Sequence, residues 1–175
     1  MSGSVLSEVI TRGGLALQAE DCSIRAAVRH RDEHGGLVRL QNERFYQFIV
    51  WRAILPVWHA EVEREGSSDL IVKKENESHY FEMKKWMSAT GNKEIPGMKS
   101  DVEKLKKCHK CGYLIVFSAN PAGQTAKNLA YLQCSVSGLE AAARETAIFD
   151  TEDQNGQPIQ FWLAGWPISG LGANT

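Results

Sequence analysis

The sequence predicts an α/β domain built around a mixed β-sheet, and three observations carry that prediction. Hydrophobic spacing is helical up to Pro56 and alternating from Trp58 onward. Three short alternating segments then follow one another with brief polar breaks, as in an antiparallel meander. A continuous apolar run, Tyr113-Leu114-Ile115-Val116-Phe117, stands between two helical stretches, as a strand buried on both faces does. The resulting order is helix, three strands, helix, strand, helix, strand.

Taken in turn, the first 35 residues read as one or two short helices broken at Gly13-Gly14 and Gly35-Gly36. Residues 1–36 are thus expected as an N-terminal helical extension on a domain spanning 37–175, compact as a whole. A longer helix is expected from about Leu37 to Leu55, stopped by Pro56, with Leu40, Phe48, Trp51 and Leu55 as its buried stripe. Trp58 to Glu63, Asp69 to Lys73 and His79 to Lys84 are the three strands, with the polar run from Lys74 to Ser78 as the second turn. Met87 to Lys99, containing Gly91, Pro96 and Gly97, reads as a long loop, and Ser100-x-x-Glu103 as a capping box opening a short helix to Lys107. Asn120-Pro121 reads as the N-cap and first residue of a helix running to about Gln133. Thr146 to Phe149 and Ile159 to Leu163 complete the set of strands.

Composition narrows the function classes. The chain has 175 residues, 43% hydrophobic and 23% charged, with a formal net charge of −1, which suits one domain with a full core and excludes a disordered chain. No run approaches the ~18 apolar residues that a membrane helix needs, so no membrane partner is expected. Met1 to Arg12 lacks a basic flank followed by an apolar block, so no secretory signal is expected either. The four cysteines form no evenly spread framework, and reduced thiols in a cytoplasmic setting are the expectation. Charge is uneven: Lys84 to Lys110 holds eight lysines against three acids, a local balance of +5 with −6 elsewhere.

The chemistry concentrates in the hairpin from Asp69 to Lys84. With its turn centred between Asn76 and Glu77, Asp69 stands opposite Lys84 and Ile71 opposite Glu82. Alternation then puts Asp69, Glu82 and Lys84 on one side of the ribbon, and makes the two acids diagonal neighbours with Cβ atoms roughly 7–8 Å apart. Two carboxylates converging from that distance can share one hard, oxygen-preferring cation such as Mg²⁺. A lysine two residues past the second acid reaches the same place and can stabilise charge on a phosphate or hold a water beside it. Those are the components of metal-assisted phosphodiester hydrolysis. Apolar residues flank both halves (Leu70-Ile71-Val72 and Tyr80-Phe81-x-Met83), which places the charges in buried strands.

Ser68-Asp69 followed by Glu82-Met83-Lys84, preceded by a helix bearing Glu43 and followed by a helix and an apolar strand, resembles the PD-(D/E)XK nuclease superfamily with its restriction-endonuclease-like fold. The resemblance extends from about Gln41 to Leu132 and covers element order as well as motif; Ser68 replaces the proline of the motif's name, a position that ligates nothing. It implies that Asp69, Glu82 and the Met83 backbone carbonyl hold the divalent metal, Mg²⁺ with Mn²⁺ able to substitute. It further implies that Lys84 assists the attacking water and that Glu43 stands at the metal's edge. The implied activity is DNA hydrolysis, as an endonuclease, with a homodimer plausible for cutting both strands of a duplex.

Other features of the sequence accompany this site. Lys104, one turn inside the expected helix, and its neighbours Lys106, Lys107 and Lys110 fit either phosphate contact or a solvated helix face. Lys85 and Lys99 are further phosphate candidates, and Trp86 fits base stacking or simple packing. Glu63 reads as a surface acid. Cys108-x-x-Cys111 lacks the second pair that a structural zinc requires, though His109 lies between the thiols, and two reduced cysteines are favoured over a zinc-dependent adaptor. The competing class for the chain as a whole is a catalytically silent nucleic-acid- or protein-binding module on the same fold.

Overall fold

A computed structural model of the chain describes residues 4–62, 68–88, 91–108 and 111–169. Helices α1 (Val5–Arg29) and α2 (Glu43–Ile54) precede strands β1 (His59–Val62), β2 (Leu70–Lys74) and β3 (Glu77–Trp86). Helix α3 (Ile95–Cys108), strand β4 (Cys111–Pro121), helix α4 (Thr125–Ser135) and strands β5 (Glu145–Glu152) and β6 (Pro158–Ser169) follow. The six strands form one sheet in the order β1-β2-β3-β4-β6-β5. Only β3 and β4 run parallel; every other neighbouring pair is antiparallel. The α/β class, the mixed sheet and the three-strand meander are therefore as expected.

Helices cover both faces. On one side α1 and α2 pack on Leu70, Val72, Phe81, Met83, Ile115 and Phe117. On the other, α3 and α4 cover Leu114, Val116, Trp162 and Trp166. Strand β4, paired on both sides and apolar throughout its middle, sends alternate side chains into both layers, which is why its sequence shows no alternation.

The first helix corrects two expectations. It runs unbroken for 25 residues through Gly13-Gly14 and supplies Val5, Leu6, Val9, Ile10 and Leu17 to the main core, so it is built in rather than appended. The glycines serve close packing: a Cβ on Gly14 would meet the Ala147 Cβ at 2.4 Å, and one on Gly13 would meet Val50 Cγ2 at 3.1 Å. A buried acid fastens the other end of α1. Asp21, fully buried, accepts hydrogen bonds from the Leu37 N–H (2.9 Å), the Thr151 hydroxyl (2.8 Å) and Arg25 Nε (2.9 Å), joining α1, the loop after it and β5.

The second helix starts later than the sequence indicates. Leu37–Arg39 is a short 3-10 turn, Gln41 takes a positive φ of 40°, and Asn42 caps α2 by accepting from the Phe45 N–H. Its buried stripe is Tyr46, Ile49, Val50 and Ile54, while Leu40, Phe48 and Leu55 are exposed. The helix carries apolar residues on both candidate faces, and the face meeting the sheet and α1 is the one buried.

Between β3 and β4 the expected loop gives way to helix at Ile95, five residues earlier than the expected start at Ser100. Ile95, Met98, Val102 and Leu105 form a buried stripe on α3, so Ser100-x-x-Glu103 lies within the helix and caps nothing. Pro96 at the second position is tolerated because the first turn has no intrahelical acceptor for its missing N–H. Asn120 and Pro121 end β4 instead of opening a helix, and α4 starts at Thr125, whose hydroxyl accepts from Asn120 Nδ2. Glu63, His109 and the Cys108 side chain, on which the surface-acid and zinc readings turn, lie outside the described residues.

Candidate metal centre

The β2–β3 hairpin turns at Glu75-Asn76, with Glu75 at φ 56° and Lys74 facing Glu77. Leu70 therefore faces Phe81, and continuing that register past the end of β2 would set Asp69 against Glu82 rather than Lys84. The shift in pairing is by an even number of residues, so Asp69, Glu82 and Lys84 keep their common side. On that side they meet α3.

Asp69 sits at the mouth of β2, where its Oδ2 accepts the Met83 N–H at 2.6 Å. Burial pushes its carboxyl up to about 6; the Met83 hydrogen bond and Lys84 pull the other way, and the charges of Glu82 and Glu43 add to the rise. Glu82 is 3% exposed and is held by Lys104, whose Nζ donates to Oε1 at 2.5 Å. Burial raises the Glu82 pKa as well, opposed by Lys104 and assisted by Asp101. These are not acids on a solvated ribbon.

Lys84 pairs with Asp101 on α3 at 3.3 Å. Burial works against its charge, but Asp101, Asp69 and Glu43 outweigh that and hold its pKa above that of a free lysine. Glu43, first residue of α2, accepts the Lys85 N–H at 2.6 Å and so pins the start of α2 to β3. One turn on, Gln47 Nε2 donates to the Met83 carbonyl at 3.3 Å; a carbonyl oxygen has a second lone pair for another partner.

The structure thus gathers Asp69, Glu82, Lys84 and Glu43 into one electrostatically interacting group, with the Met83 backbone at its centre. Among the described residues, no three His, Cys, Asp or Glu side chains converge as a closed metal site requires. A two-carboxylate, all-oxygen set nonetheless fits Mg²⁺, which is usually held by one or two carboxylates and keeps several waters. Buried acids whose ionised forms are disfavoured are also what a cation would stabilise.

The nucleic-acid candidates separate. Trp86 is 3% exposed, packs on Trp162 and Tyr131, and donates its indole N–H to the Ser88 carbonyl at 2.9 Å, so it is a packing residue and cannot stack on a base. Lys104 belongs to the carboxylate cluster. Lys85 reaches the Gln41 carbonyl at 2.6 Å beside Glu43. Lys99 and Lys107 are exposed on α3, the latter in its last turn, where a cation suits the helix dipole. Lys99 lines two shallow clefts of about 400 and 550 Å³ between α3 and the end of α4.

Two participants escaped the sequence reading. Gln47 is one helical turn after Glu43, and Asp101 is three residues before Lys104; each shares a helix face with a residue already singled out. No described helix is long and apolar enough to cross a membrane. In comparisons with known proteins, the chain matches no family model, no curated protein and no solved structure.

Proposed function

We propose that the protein is a divalent-metal-dependent nuclease that hydrolyses DNA phosphodiester bonds as an endonuclease, on a restriction-endonuclease-like core. The observation that carries this reading is the half-buried Asp69 just ahead of β2 and the buried Glu82 on β3, in one group with Lys84. Desolvated carboxylates cost stability unless a cation or proton meets them; Lys104 meets Glu82, and a divalent ion would meet Asp69.

In this reading Asp69 and Glu82 hold the ion, the Met83 carbonyl offers a third oxygen, and Glu43 stands behind the Met83–Lys85 backbone. When bound, Mg²⁺ or Mn²⁺ supplies a polarising charge and a water of lowered pKa. Lys84, charged and reachable from solvent, orients that water or meets the negative charge growing on the phosphate. Lys85, Lys99 and Lys107 contribute phosphate contacts without sequence choice. The free thiols of Cys22 and Cys134 accord with a reducing, cytoplasmic setting. Two copies acting together would cut both strands of a duplex.

The test is cleavage of plasmid, linear duplex and single-stranded DNA with Mg²⁺ or Mn²⁺. Activity that EDTA abolishes and that Asp69→Ala lacks is the expected result. A folded wild-type protein that binds these DNAs but cuts none would instead make it a silent binding module.

A further inference from the structure

We propose that Lys104 is the centre's resident cation, standing where a second metal ion would sit, so that each chain binds a single divalent ion. This rests on the metal-dependent reading above and makes it more specific. Lys104 reaches from α3 to Glu82 Oε1 at 2.5 Å, and that oxygen belongs to a side chain almost wholly removed from solvent.

Element geometry explains the contact. Glu82 and Lys84, two apart on a strand, share one face; Asp101 and Lys104, three apart on a helix, share another. Laid against each other they pair crosswise, Glu82 with Lys104 and Lys84 with Asp101. Each strand charge meets its counterion on the helix.

The charge count points the same way. Four carboxylates (Glu43, Asp69, Glu82, Asp101) and two ammonium groups (Lys84, Lys104) act on one another here. With all six ionised the excess is two negative charges, which one divalent ion would neutralise. Two-ion centres hold their metals ~3.5–4 Å apart and need a carboxylate that can give an oxygen to each. Glu82 Oε1 already touches an ammonium, and a metal on that oxygen would lie against a like charge. Asp69 Oδ2 is committed to the Met83 N–H, and no third acid converges among the described residues. The oxygens that remain serve one ion. Lys104 is a positioning residue: it acts through Glu82.

The experiment counts Mn²⁺ bound to the metal-free full chain by electron paramagnetic resonance, alongside thermal unfolding, for wild type, Lys104→Arg and Lys104→Met. Wild type and Lys104→Arg are expected to bind one ion per chain, and Lys104→Met to gain a second in the millimolar range. Two ions of comparable affinity on wild type overturn the inference and leave metal dependence intact. So does a folded Lys104→Met protein that still takes one. Should Lys104→Met fail to fold, the wild-type and Lys104→Arg counts decide. A wild type that binds no Mn²⁺ removes the metal-dependent reading itself, and this inference with it.

Discussion

Lys84 and Asp101 form a 3.3 Å ion pair that ties β3 to α3 at the centre of the carboxylate cluster. The pair has a kinetic consequence in the nuclease reading, because Asp101 is the first of the charges that hold the Lys84 pKa up. Lys84→Ala is expected to reduce DNA cleavage by at least ~100-fold, the scale at which a positioned proton-transfer or charge-stabilising group contributes. Asp101→Asn should cost about tenfold and move the basic limb of the pH–rate profile to lower pH, with Mn²⁺ binding retained. An unchanged basic limb would show that Lys84 does not depend on Asp101.

Asp69 makes the metal-free protein sensitive to mild pH. Its folded pKa of about 6 lies above its ordinary value of 3.8, so the folded state binds this proton more tightly than the unfolded state. The associated stability is fully present below pH ~4 and is lost as pH rises through about 6. Glu82 shifts in the same direction. In EDTA, the melting temperature should therefore fall between pH 5 and pH 7, and Asp69→Asn should flatten that fall. Added Mg²⁺ at pH 7 should restore the wild type and leave Asp69→Asn unmoved. Calorimetry across this interval, with and without metal, checks each part.

Asp21 should behave as a structural acid with no bearing on cleavage chemistry. Replacing it by Ala orphans the Leu37 N–H and the Thr151 hydroxyl and leaves Arg25 without its carboxylate. Removing one partner from a buried charged network costs about 3–5 kcal/mol. Urea denaturation of Asp21→Ala should show a loss of that size, and Asp21→Asn a smaller one. A loss under ~1 kcal/mol would mean that water takes over the acceptor role.

Gly14→Ala offers a test in which helix propensity and packing oppose each other. In an isolated helix the change is favourable by about 1 kcal/mol. Here the added methyl would sit 2.4 Å from the Ala147 Cβ, a short side chain with no rotamer that could move it aside. Overpacking of this kind costs about 1–3 kcal/mol, so the variant should be less stable despite its better helix former. Pairing it with Ala147→Gly should recover most of the loss.

The local pattern along the chain was enough for the class of the fold, the strand meander, the double burial of β4 and the gathering of Asp69, Glu82 and Lys84. Each depends on periodicity and on strand alternation, which short-range sequence carries. Even the wrong turn position left Asp69, Glu82 and Lys84 on one face, since sliding a hairpin by two residues preserves the face of every side chain. Tertiary structure decided the rest. Gly13-Gly14 looks like a break until β5 and α2 are seen pressing on it, and α2 had two apolar faces whose burial only the sheet could choose. Trp86 turned inward because α4 and β6 offered it a pocket. Lys104 and Asp101 joined the carboxylates because α3 packs across β3, a contact between residues about twenty positions apart that no local spacing encodes.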